Sequence, residues 1–73
     1  MDYKKRIIAD PNIMLGKPVI KGTRITVELI LHRLSEGMSI ENLVEAYPHL
    51  TIEDIYAALA YSAEVISREE MIA

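Results

Sequence analysis

The sequence predicts a mainly α-helical domain, a three-helix body of the helix-turn-helix type preceded by a short β/turn segment. Three observations carry this. From Thr26 onward apolar residues recur at helical spacing. Capping and breaking residues cut that run into three pieces. The first 25 residues hold only short β-branched runs punctuated by Pro and Gly.

In chain order, Ile7-Ile8 and Val19-Ile20 predict two short strands, separated by turn signals at Asp10-Pro11, Leu15-Gly16 and Lys21-Gly22. Two such strands are not stable alone in water, so they must pack on the helices or pair with a second chain. The first helix follows from Val27, Ile30, Leu31 and Leu34, with Thr26 as its cap and Gly37 as its stop. Ser39 caps a short second helix built on Ile40, Leu43, Val44 and Tyr47, which Pro48 ends. Thr51 opens the third with Asp54 three residues on, a capping box with Asp in place of Glu. Ile52, Ile55, Tyr56, Leu59, Ala63 and Ile66 form its expected buried stripe. Its end is open, because Ser67-Arg68-Glu69-Glu70 has the residues to start another turn.

The chain has 73 residues, sufficient for one domain over 1–73, divided into a 1–25 strand/turn segment and a 26–73 body. A domain this small buries only about 60% of its unfolded surface. It has no Cys and two His, so an oligomer or protein partner is the expected stabiliser. The basic start, Lys4-Lys5-Arg6, is followed only by Ile7-Ile8-Ala9 before Asp10-Pro11, which does not make a signal peptide. No apolar run approaches the ~20 residues that cross a bilayer, and a cytoplasmic location is expected.

The net charge of −3 hides a split. Residues 1–26 carry six cations against two carboxylates, a net of +4, whereas residues 27–73 carry two against nine, a net of −7. An anionic partner is therefore expected at the N-terminal segment. The bland alternative is ordinary solubilising charge.

Helices two and three, Ser39 to Leu59, have helix-turn-helix proportions, and the last helix of that motif commonly enters the DNA major groove. Here Glu53 and Asp54 in its first turn are expected to repel phosphate. DNA affinity rests on Lys and Arg, so Lys17, Lys21 and Arg24 are the candidate phosphate contacts, with Thr23 and the Gly22 backbone beside them. On a helical wheel the side of helix three away from the expected core carries Ala57, Ala58, Tyr61 and Val65 beside Asp54. Ala58, Tyr61 and Val65, with Met71 in the tail, are the candidate partner-binding stripe. Glu28, His32 and Glu36 share a helical face but lack further ligands to complete a metal set. His49 is expected to cap or pack. With no phosphate-cradling Gly loop and no nucleophile beside an identifiable base, the sequence reads as a binding protein without catalytic activity or cofactor.

The run from Asp10 to Val27, centred on Gly16-Lys17-Pro18-Val19-Ile20-Lys21-Gly22-Thr23-Arg24, followed by Tyr47-Pro48-His49-Leu50-Thr51 and Asp54-Ile55, closely resembles the domain of unknown function 433 family. The resemblance covers roughly Ile7 to Ala63. Within that pattern Gly16 and Gly22 permit turns closed to other residues, and Pro18 fixes an extended approach to Val19. The resemblance implies a homeodomain-like helix-turn-helix fold and membership among predicted prokaryotic antitoxins, typically encoded beside a PIN-like nuclease toxin. It thereby implies that the chain neutralises such a toxin and represses its own operon as a dimer. The sequence departs from a typical antitoxin in having no long polar C-terminal extension. Neutralisation would then run through the Ala58, Tyr61 and Val65 stripe or through Lys21 or Arg24 reaching toward an acidic metal site, and the charge split favours the latter. The competing readings are a stand-alone DNA-binding repressor and a solitary dimerisation module.

Overall fold

The structure is a computed structural model and describes residues 2–70, with side chains through residue 68. The elements in order are a 3₁₀ turn at Tyr3–Lys5, strand β1 (Ile7–Ile8), a second 3₁₀ turn at Met14–Gly16, strand β2 (Val19–Ile20), and helices α1 (Val27–Ser35), α2 (Ile40–Ala46) and α3 (Ile52–Glu70). The three helices and the two strands lie where the sequence places them.

β1 and β2 pair antiparallel within the chain, with Ile7 opposite Ile20 and Ile8 opposite Val19. The free edge of β2 is then covered by the segment that follows it. Val19 bridges Thr26, the Ile20 N–H donates to the Ile25 carbonyl at 2.9 Å, and the Val27 N–H donates to that of Pro18 at 3.0 Å. Pairing of β2 with another chain is thus pre-empted. The ribbon is held by its apolar side chains, since Ile7, Val19 and Ile20 are all buried.

Each helix is closed by local chemistry. The Thr26 hydroxyl accepts from Leu29 N–H and the Ser39 hydroxyl from Asn42 N–H, both at 3.0 Å. α1 ends in a Schellman arrangement, with the Met38 N–H on the Arg33 carbonyl and the Gly37 N–H on that of Leu34. Gly37 takes φ 95°, a conformation that costs any residue with a Cβ. At the α2–α3 corner the Leu50 N–H donates to the Tyr47 carbonyl at 2.8 Å. This places Pro48 second in a tight turn, the position its fixed φ suits. Leu50 is buried beneath the corner, while His49, expected to cap or pack, is exposed. The Thr51–Asp54 box is reciprocal, each side chain accepting from the other's N–H at 3.0–3.1 Å. α3 runs unbroken to Glu70. Ser67 donates its hydroxyl back to the Glu64 carbonyl at 2.9 Å and caps nothing.

The core gathers Ile7 and Ile20 from the ribbon, Val27 and Ile30 from α1, Leu43 from α2, Leu50 from the corner, and Ile55, Ala57 and Ala58 from α3. This corrects the expected orientation of α3. The outward-facing Ala57 and Ala58 of the sequence reading are fully buried (0% exposed), and of the expected core stripe only Ile55 is inside. Ile52, Tyr56, Leu59 and Ile66 are 45%, 50%, 39% and 52% exposed, and Ala63 is exposed with them. The reason is steric. Methyl groups at 57 and 58 let α3 press close against its neighbours, and Asp54 is drawn to the same side by its cap and by Arg6.

The N-terminal segment is tied down rather than free. Tyr3 packs edge-on against the Tyr61 ring, centroids 5.5 Å apart, and its hydroxyl donates to the Glu64 carboxylate. Arg6 donates to Asp54 at 3.1 Å. Among the described residues no helix is long and apolar enough to cross a membrane.

Candidate functional site

Two surfaces combine exposure with chemistry that the fold does not need. The first is the loop Lys21–Arg24, at the end of the ribbon where β2 turns back into Ile25. Because Ile7 faces Ile20, the next residues in register are Arg6 and Lys21, and the Lys21 N–H donates to the Arg6 carbonyl at 2.8 Å. Gly22 turns the loop at φ 82°. Thr23 locks it: its hydroxyl donates to the Ile20 carbonyl at 2.8 Å and accepts from Ile25 N–H at 3.0 Å. Lys21 and Arg24 are exposed on either side, and neither forms an ion pair among the described residues, whereas Arg6 is paired with Asp54.

The predicted site residues divide on this geometry. Lys21 and Arg24 share the loop as expected. Thr23 lies with them, but its hydroxyl is committed to holding the loop. Lys17 lies beyond the other end of β2, where it pairs with Glu28 at 3.0 Å. That bond, and the positive charge behind it, hold the Glu28 carboxyl below the usual glutamate range. Glu28 also lies 3.9 Å from His32, while Glu36 is taken by Arg33 at 3.0 Å. Asp54, expected to face incoming phosphate, is buried and engaged, so Glu53 alone presents a carboxylate there.

The second surface is the outer face of α3. The candidate partner stripe does not form on it. Ala58 is core, Tyr61 is half-buried against Tyr3, and Val65 lines an open apolar groove of about 530 Å³ between α1 and α3, with Val27, Leu31, Tyr61 and Ile66. Met71 lies outside the described residues. The face that is exposed carries Ile52, Tyr56, Leu59, Ala63 and Ile66, all members of the stripe expected to be buried.

Sequence reasoning also missed the tip of the β1–β2 connection. Met14 and Leu15 both take left-handed backbone, φ 49° and 60°, a conformation costing L-residues roughly 1–2 kcal/mol each. Leu15 is 93% exposed. The signal in the sequence was an apolar Ile13-Met14-Leu15 run inside a segment otherwise marked as turns.

Three helices, a capped corner and an N-terminal β-ribbon define a small helix-turn-helix type domain. The chain belongs to the family described as Protein of unknown function (DUF433), whose sequence profile matches residues 7–62. It is similar to the crystal structure of a DUF433 member protein from Anabaena variabilis ATCC 29413, with a TM-score of 0.75 and 34% identity over 88% of this chain and 66% of that one. It is also 36% identical over 56 residues to the uncharacterized protein y4eO of Sinorhizobium fredii (strain NBRC 101917 / NGR234). The match covers 77% of this chain but only a quarter, 25%, of that relative's length.

Proposed function

We propose that the chain is a non-catalytic, antitoxin-like regulator acting in the cytoplasm, which binds and neutralises a PIN-like ribonuclease toxin and binds operator DNA as a dimer. The observation that supports it is the Lys21–Arg24 loop, two exposed cations without ion-pair partners among the described residues, on a chain whose residues 27–73 carry two cations against nine carboxylates. A nuclease whose metal site is built from carboxylates presents the complementary charge, and attraction between such patches raises both encounter rate and specificity. Operator DNA would meet the same loop, because the exposed start of α3 offers Ile52, Glu53 and Tyr56 and no cation.

Co-expression with the product of the neighbouring gene tests the first role. The two should co-purify, and the chain should restore growth to cells making that product. Lys21→Ala with Arg24→Ala should weaken the complex at least tenfold without changing the fold. Separate elution together with failure to restore growth overturns the reading. The stand-alone repressor draws its support from the α2–α3 corner geometry. If the loop contacts operator DNA, the same double variant lowers the slope of log affinity against log salt by about 2. An unchanged slope removes the loop from DNA binding.

A further inference from the structure

The exposed residues of α3 form a regular series. Ile52, Tyr56, Leu59, Ala63 and Ile66 recur at alternating steps of four and three, the 3.5-residue spacing of a coiled-coil seam. All are exposed, although four of them are large or aromatic apolar side chains. The series spans ~21 Å of helix on the side away from Ala57 and Ala58, and although Ile66 at its end also borders the α1–α3 groove, every member is exposed. A strip of this length and regularity is what a partner helix packs on.

We infer that a second copy of this chain packs there, α3 against α3, antiparallel about a two-fold axis through Leu59. The order of side-chain sizes carries the choice of occupant. Read in either direction from Leu59, the series places Ile52 opposite Ile66 of the second copy and Tyr56 opposite its Ala63. Large then meets small in each Tyr–Ala layer, Leu59 meets itself on the axis, and Ile caps both ends. A two-fold interface needs this self-complementarity. A parallel pair would set Tyr56 on Tyr56 and Ala63 on Ala63, crowding one layer and leaving a void in the other. The flanks agree. On the side of the seam that carries Glu53, Ala60 and Ser67, antiparallel packing sets Glu53 against Ser67 and brings no two carboxylates together, and the two helix dipoles lie antiparallel, side by side.

The strip is narrow, which puts the dimer at the small, reversible end of specific interfaces. This dimer rests on the α3 surface alone and stands independently of any toxin or DNA partner. It uses neither β2, which is already flanked on both edges within its own chain, nor the Ala58, Tyr61 and Val65 stripe expected to bind a partner, whose Ala58 is in the core.

The test uses the whole chain without a partner. Sedimentation across a concentration series should show a monomer–dimer equilibrium. Leu59→Glu, which sets two carboxylates on the axis, should be monomeric throughout while keeping its helical circular dichroism. The chain has no Cys, so oxidative cross-linking adds a measurement that needs only near-native side chains. Ile52→Cys mixed with Ile66→Cys should cross-link, and Ile52→Cys alone should not. A wild-type chain that remains monomeric to near-millimolar concentration overturns the proposal. So does preferential cross-linking of Ile52→Cys to itself, which would report a parallel pair.

Discussion

The two faces of α3 differ in a way that inverts the usual inside-outside rule. The buried face holds Asp54, Ile55, Ala57, Ala58 and, half-buried, Tyr61, while the exposed face holds Ile52, Tyr56, Leu59 and Ile66. By side-chain size alone the second is the better core. Close approach of the neighbouring elements makes the first the actual one, because an alanine methyl fits where a leucine does not. A helix with two apolar faces can satisfy one within its own domain; the other is left for association. That contrast also separates α3 from the Lys21–Arg24 loop, where exposure is polar and cationic.

The sharpest way to break the comparison is to truncate one residue on each face. Ile55→Ala removes a fully buried side chain and should cost ~2–5 kcal/mol. Ile52→Ala should stay within about 0.5 kcal/mol when urea unfolding is followed at a concentration where the chain is monomeric. Equal costs would mean that the exposed face is packed within the chain.

Asp54→Ala should give the next largest effect, about 1–2 kcal/mol, because one substitution removes both the α3 cap and the partner of Arg6. Arg6→Met keeps the cap and should cost less. If the two variants unfold at the same urea concentration, the ion pair and not the cap positions this face.

The smallest effect concerns the far end of α3. The Tyr3 hydroxyl, hydrogen-bonded to Glu64, holds that carboxyl below the usual glutamate range, with Arg68 adding to it. The same bond raises the Tyr3 phenol. A carboxyl depressed in the folded state favours folding above its unfolded value of about 4.3 and loses that contribution as pH falls through its folded value. Wild type should therefore exceed Glu64→Gln in melting temperature at pH 6, with the gap closing toward pH 3. A gap that does not change with pH would show that the Tyr3–Glu64 contact acts by shape alone.

Much of the fold was legible because it depends on chemistry between near neighbours. Thr26, Ser39 and the Thr51–Asp54 pair cap within three residues, Gly37 ends α1 through its own φ, and Pro48 stops α2 regardless of what surrounds it. The candidate site was legible only by residue type. Lys21 and Arg24 could be named as cations, but the pairing of Lys17 with Glu28, the commitment of the Thr23 hydroxyl within its loop, and the strain at Met14 and Leu15 depend on which segments fold onto each other.

Sequence by itself determined where the helices begin and where the first two end, which segments form strands, and that charge divides between the two ends of the chain, since each follows from local conformational preference or composition. Only the tertiary structure decided which way α3 is turned. The wheel shows two apolar faces and counts bulk, whereas the domain is selected by the distance at which α3 and its neighbours can pack, and at that distance Ala57 and Ala58 go in and Leu59 stays out.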